Sequence, residues 1–261
     1  MTVLPDPPHP LLRLNLPPDE IARRTRAIYD AVLQRSPHLR TGNFTALSAA
    51  DLRLLFDLYD ATFFAGSLAQ LLERTRSPLA FHVSSRLTSS AGLTKRFVRK
   101  ARKDQPPDPP RYEIALSSTL LFQTFRDVER TVHVNGLVCN DRLEAMQRVF
   151  EHELVHLVEM MLFIKSSCDR ERFKVLARHW FAHTQTRHNL ITQSERARVQ
   201  FDVRVGDRVA FLFEGTRYTG VVNRITQRAT ILVESDKGQP YTDGKRYAKY
   251  YIPLPMLEKV T

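Results

Sequence analysis

The sequence predicts an α+β fold in two parts, a helix-rich domain over residues 19–190 followed by a small all-β barrel over residues 203–261. Three observations carry this. Apolar residues recur at helical spacing in several segments before residue 190 and alternate at strand spacing after Val203. Gly215, Gly220, Gly238 and Gly244 then mark turns or bends between several short strands, which implies a small barrel. His152-Glu153-Leu154-Val155-His156 lies inside the strongest helical run.

Residues 1–18 hold six of the fifteen prolines and are expected to be a flexible lead-in. A helix over 18–36 follows, with Ile21, Ile28, Tyr29, Val32 and Leu33 in register. A second spans 48–75 with Ser48 as its cap and a break near Gly66, and Leu52, Leu55, Phe56, Leu58, Tyr59 and Phe63 face a core. Ala80-Phe81-His82-Val83 alternates as a strand, and Tyr112-Glu113-Ile114-Ala115-Leu116 is its partner. Between them Lys95–Lys103, six of nine residues basic, forms a hairpin tip before a Pro-rich run.

A helix over 117–127 and a short strand over 131–138 lead to the motif helix at 141–163, where Asp141 and Glu144 stand in capping-box spacing. Residues 171–183 are helical again, and 191–202 serve as a linker. Val203–Phe213, Arg217–Ile225, Ala229–Glu234 and Tyr247–Pro253 are the strands of the final part.

Two cysteines, Cys139 and Cys168, exclude a disulfide-dense secreted scaffold and fit a reducing compartment. No apolar run reaches the length of a membrane span, and residues 1–18 lack a signal-peptide core, so a cytoplasmic location without membrane contact is expected. The net charge of +11 points to a polyanionic partner, most simply nucleic acid.

On a helix, residues four apart share a face, so His152 and His156 can approach one zinc ion at about 2 Å while Glu153 stands beside an open position. Zinc brings the pKa of bound water down to roughly 7, and a neighbouring carboxylate can then act as general base on the way to amide hydrolysis. A catalytic zinc takes three protein ligands, and Glu159, Cys168, Asp169, His179, His183 and His188 all follow the motif.

Leu55-Phe56-Asp57-Leu58-Tyr59-Asp60-Ala61-Thr62-Phe63-Phe64, then Ala91-Gly92, Ile114-Ala115-Leu116-Ser117 and the His152–His156 motif come in an order that resembles the SprT-like family over residues 48–190. The resemblance implies a zincin-like metallopeptidase domain and, as in Spartan-like relatives, cleavage of proteins held on DNA. In that family a third zinc-binding histidine stands four residues before an aromatic that begins the next helix. Here Phe173 is that aromatic and Asp169 occupies the histidine's place, a departure from the pattern. Cys168 is adjacent, and a thiolate is the softer zinc ligand, so Cys168 is preferred and Asp169, His183 and His188 remain alternatives.

Val205-Gly206-Asp207-Arg208-Val209-Ala210-Phe211 resembles the first strand of Tudor-like or KOW-like barrels. Arg224, Arg228, Lys245 and Arg246, interleaved with tyrosines, and Lys95, Arg96, Arg99, Lys100, Arg102 and Lys103 in the hairpin tip are the candidate nucleic-acid contacts, with DNA favoured over RNA. The function expected is a zinc endopeptidase acting on a protein substrate near nucleic acid, with Glu153 catalytic. Its rivals are a non-catalytic nucleic-acid-binding or regulatory protein with structural zinc, and a protein-interaction adaptor.

Overall fold

The structure, a computed structural model, describes residues 9–99 and 108–260. The chain divides into two compact units, one formed by Met1–Phe122 with Arg130–Leu190 and the other by Gln123–Glu129 with Ile191–Thr261. Both contain helices and strands, so the α+β class holds.

In the first unit, helix α1 (Pro18–Arg35) opens on a proline whose missing N–H costs nothing in a first turn. Asp19 and Glu20 at its start and Arg35 at its end complement the helix dipole. Helix α2 (Ala49–Phe64) starts at the expected cap. The Ser48 side chain accepts from the Asp51 N–H, and the Asp51 carboxylate accepts from the Ser48 N–H. Ala65 and Gly66 turn left-handed and end it, and α3 (Ser67–Arg74) follows.

Strands β1 (Leu79–Ser84), β2 (Gly92–Phe97) and β3 (Arg111–Ser117) form a sheet in the order β1-β3-β2. The central strand β3 pairs with β1 as expected, in parallel orientation, while its antiparallel partner across the basic segment is β2. That leaves β2 on an edge. Helix α4 (Ser118–Gln123) is shorter than the expected 117–127.

The single strand expected over 131–138 is instead a hairpin of β4 (Val132–Val134) and β5 (Leu137–Cys139). Asn135 and Gly136 supply the two positive φ angles, 54° and 84°, that a tight two-residue turn demands.

Helix α5 (Arg142–Phe163) has Asp141 as its N-cap, accepting from the Glu144 N–H at 2.8 Å. The reciprocal bond of the expected capping box is displaced by one residue, because the Glu144 carboxylate accepts from the Asn140 N–H. The run of apolar residues legible in the sequence is buried along α5, including Leu143, Met146, Val149, Phe150, Leu154 and Leu157. Phe81 lies 5.7 Å from Phe56 and 6.3 Å from Phe150, so one aromatic on β1 joins α2 to α5. Full burial of each such ring stabilises by about 1.5–3 kcal/mol. Helix α6 (Glu171–Phe181) packs against α5 and contributes Phe173, Trp180 and Phe181 to the core.

The second unit corrects two expectations. Residues expected as a linker include helix α7 (Gln193–Phe201), capped by Thr192, with Ala197 and the following Val203 inside a core that includes Val209, Phe211, Val222 and Ile231. The segment 123–129 also belongs here, held by Asp127 accepting two bonds from the Arg196 guanidinium at 2.5 and 2.8 Å. Strands β6 (Arg208–Phe213), β7 (Thr216–Ile225), β8 (Ala229–Pro240), β9 (Arg246–Ile252) and β10 (Glu258–Lys259) form an antiparallel sheet in the order β10-β6-β7-β8-β9.

The expected strands are present, but β9 and β10 are edges and no closed barrel forms among the described residues. Closure demands that the two end strands pair. Among the described residues no helix is long and apolar enough to cross a membrane.

Candidate metal centre

Both motif histidines project from the same side of α5, one turn apart, with their Nε2 atoms 3.1 Å from each other. The turn before α6 brings in the Cys168 thiol. Ligand atoms of His152, His156 and Cys168 all lie within 4.8 Å of one another, and this is the one such three-residue group among the described residues. Phe173, fully buried on α6, packs its ring 4.8 Å from that of His152 and 4.5 Å from that of His156. The aromatic singled out in the sequence thus forms the base of the imidazole pair.

A chain of hydrogen bonds fixes the tautomer of His156. Ser166 donates to Oε2 of Glu159 at 2.5 Å, so its oxygen is left to accept, and the partner at 2.7 Å is Nδ1 of His156. With the proton on Nδ1, Nε2 presents its lone pair to the cluster, the form a metal ligand needs. Glu159 is itself held by Arg172, whose Nε donates to Oε1 at 2.6 Å. Glu159 is therefore an anchor behind the site and not one of the group. His152 has no equivalent anchor, since its Nδ1 is buried without a hydrogen-bond partner among the described residues.

Burial pushes the imidazoles of His152 and His156 down to about 3 and about 4, so both are neutral at pH 7. Neutral nitrogen and a soft sulfur make a donor set suited to zinc, with the thiol proton released on binding. That thiol is raised first by burial and then by the neighbouring Asp169 carboxylate.

Glu153 lies beside this group and is 4 % exposed. The Thr94 hydroxyl on β2 donates to its Oε2 at 2.7 Å and also reaches its main-chain carbonyl at 3.1 Å. Burial pushes the Glu153 carboxyl up to about 7 against the lowering effect of Thr94. Gly92, two residues before Thr94 on the same strand face, leaves the space that the carboxylate occupies. Gly92, Thr94, Glu153 and the two imidazoles line a cleft of about 550 Å³ whose other residues include Ser89, Met160, Arg187 and His188.

The remaining candidates go elsewhere. Asp169 is exposed and outside the group. His183 is buried and bonded through Nε2 to Glu151 at 2.8 Å, in a network that also holds Tyr59 at 2.7 Å and Arg148 at 2.9 Å. His188 lines the cleft without joining the group, and its Nδ1 accepts from the Leu190 N–H. His179 is a residue of α6 outside the group.

Thr94, Ser166 and Arg172 were not legible as site residues. Each acts through a fold contact with α5, and the polar turn Ser166-Ser167-Cys168-Asp169 is the nearest sequence signal.

Of the basic residues, Lys95 and Arg96 stand on β2, and Arg99 lies 3.7 Å from Asp108. Lys100, Arg102 and Lys103 fall outside the described residues. In the second unit, exposed Arg224 and Arg228 flank the β7–β8 turn. Exposed Lys245, paired with Glu234 at 2.9 Å, directly precedes β9, which begins at exposed Arg246. No protein-family model, curated protein or solved structure matches the chain.

Proposed function

We propose that this protein is a zinc-dependent endopeptidase with a zincin-like, SprT-like domain, acting on proteins near or on DNA. The observation that carries the reading is the junction of His152, His156 and Cys168 with a buried Glu153 that β2 holds in place. The three residues would hold zinc with a fourth position free, and zinc when bound would polarise a scissile carbonyl and acidify water.

Glu153 does the proton work. With a carboxyl near pH 7 it can take a proton from water, keep it sheltered in the cleft, and return it to the leaving amine. Thr94 keeps the carboxylate facing the cleft while this happens. Strand β2 is an edge of its sheet and lines the cleft, which suits an extended peptide added as a further strand.

A structural zinc would need a fourth ligand such as His183 or His188, but the first is committed to Glu151 and the second stands apart from the group. The net charge of +11 and the exposed cations of both units support a nucleic-acid partner. The test compares wild type with Glu153→Gln. Zinc content should be unchanged and proteolysis lost. Full proteolysis in the zinc-loaded variant would remove the mechanism.

A further inference from the structure

The geometry points to a subsite for acidic side chains of the polypeptide substrate, formed by Arg96, Lys165 and Arg170 at the end of the metal cleft. This rests on the peptidase reading. Beyond Thr94, Met160 and Ser166, which border both, the cleft opens into a second depression of about 440 Å³ between β2 and the C-terminal end of α5. Lys95, Arg96, Lys165 and Arg170 line it together with Phe97 and Ile164, and no carboxylate does.

The chemistry of this depression is one-sided. None of Arg96, Lys165 and Arg170 is ion-paired among the described residues, and Nε of Arg96 is buried without a hydrogen-bond partner there. Glu159, the last acid of α5, is taken up by Arg172 and Ser166, and Glu153 is bonded by Thr94. Ile164 is 62 % exposed and Phe97 39 %, so the cations stand among apolar surface. That surface weakens solvent screening and strengthens attraction to a carboxylate. Guanidinium groups add bidentate geometry.

Register sets the distance from the reaction. Gly92, Thr94 and Arg96 share one face of β2, with Gly92 and Thr94 against Glu153. Arg96 is therefore about 6.5 Å further along the strand than Thr94. A peptide lying along the β2 edge with its scissile bond at Glu153 would place a side chain about two residues away beside Arg96. An Asp or Glu there would neutralise a cation that has no partner in the protein. A polypeptide is favoured over nucleic acid because the depression continues a strand edge, which offers backbone pairing that a phosphodiester chain cannot use.

The experiment uses zinc-loaded full-length protein and matched fluorogenic peptides with Asp, Asn or Lys at the two positions on either side of the cleaved bond. Asp peptides should show kcat/KM about tenfold above Asn peptides, mainly through KM, with the gain shrinking as salt rises. Arg96→Gln should abolish the preference, and the exposed pair Lys165→Gln/Arg170→Gln should weaken it, so a folding defect in one variant cannot decide the matter. Fluorescence anisotropy with the same peptides and a single-stranded oligonucleotide of equal charge runs in parallel.

Cleavage of all peptides at equal rates would overturn the subsite and leave the peptidase reading standing. Absent cleavage with charge-selective peptide binding that both variants reduce would support the subsite and sink the peptidase reading. Tighter binding of the oligonucleotide, lost in the same variants, would overturn the proposal in favour of a nucleic-acid groove.

Discussion

A β-carbon on Gly92 would lie 2.5 Å from Oε1 of Glu153 and 2.7 Å from its Cγ, so the edge strand and the candidate general base are in contact with no room between them. Glycine is required here for closeness. Gly92→Ala must displace the carboxylate or the strand. Misplacement of a catalytic group by about 1 Å can cost on the order of 100-fold in rate, and a loss of that order is expected with zinc content unchanged. Steady-state kinetics with metal analysis measures both, and full turnover in the variant would show that Glu153 is not confined by β2.

Thr94 bears on pH dependence. Its hydroxyl bonds the Glu153 carboxylate and opposes the burial that pushes this group up to about 7. A general base must be deprotonated, so activity falls as pH drops through the Glu153 value. Thr94→Val removes the opposing bond and raises that value further. The acid limb of kcat/KM should move to higher pH, and an identical profile in the variant would contradict the role given to Thr94.

Ser166 passes orientation from Glu159 to His156. In Ser166→Ala the Nδ1 proton loses its acceptor, and zinc affinity should fall by roughly 10–100-fold, the usual cost of a lost outer partner. Cys168→Ala should cost more, because it removes a donor atom. Chelator competition ranks the three proteins, and a ranking with Ser166→Ala below Cys168→Ala would exclude Cys168 as a ligand.

Glu151 holds the core beneath the site. It is fully buried and accepts from Tyr59, Arg148 and His183. Burial works to raise its carboxyl, but Arg148 and then His183 outweigh this and hold it below the usual range. Glu151→Gln leaves Arg148 without its counter-charge and should cost about 3–5 kcal/mol. Urea denaturation reads this directly. By the same linkage, wild type keeps the contribution above the ordinary carboxylate pKa and loses it as pH falls through the lowered value.

What the sequence made legible was local. The spacing of His152 and His156 needs one helix turn, the cap at Asp141 lies three residues from its target N–H, and Ser48 with Asp51 closes the α2 cap within four residues. The contacts of Thr94 and Gly92 with Glu153 bridge about sixty residues and follow from how β2 docks on α5, which no periodicity encodes.

Helix α7 escaped notice because, of its residues, just Gln193 and Ala197 are buried, too few to show a helical stripe. Alternation revealed the strands of the second unit. Whether their sheet closes depends on strand stagger, which alternation does not contain. His183, chemically as good a ligand as any, is bound instead to an acid thirty-two residues earlier in the chain.

An unpaired edge such as β2 would also accept the same edge of a second molecule, the usual beginning of strand-to-strand aggregation. Lys95 and Arg96 sit on that edge, so two copies approaching one another bring like charges together. Arg96, proposed above for substrate choice, would thus with Lys95 also keep the protein from becoming its own ligand, a protection that weakens wherever salt or polyanions screen them.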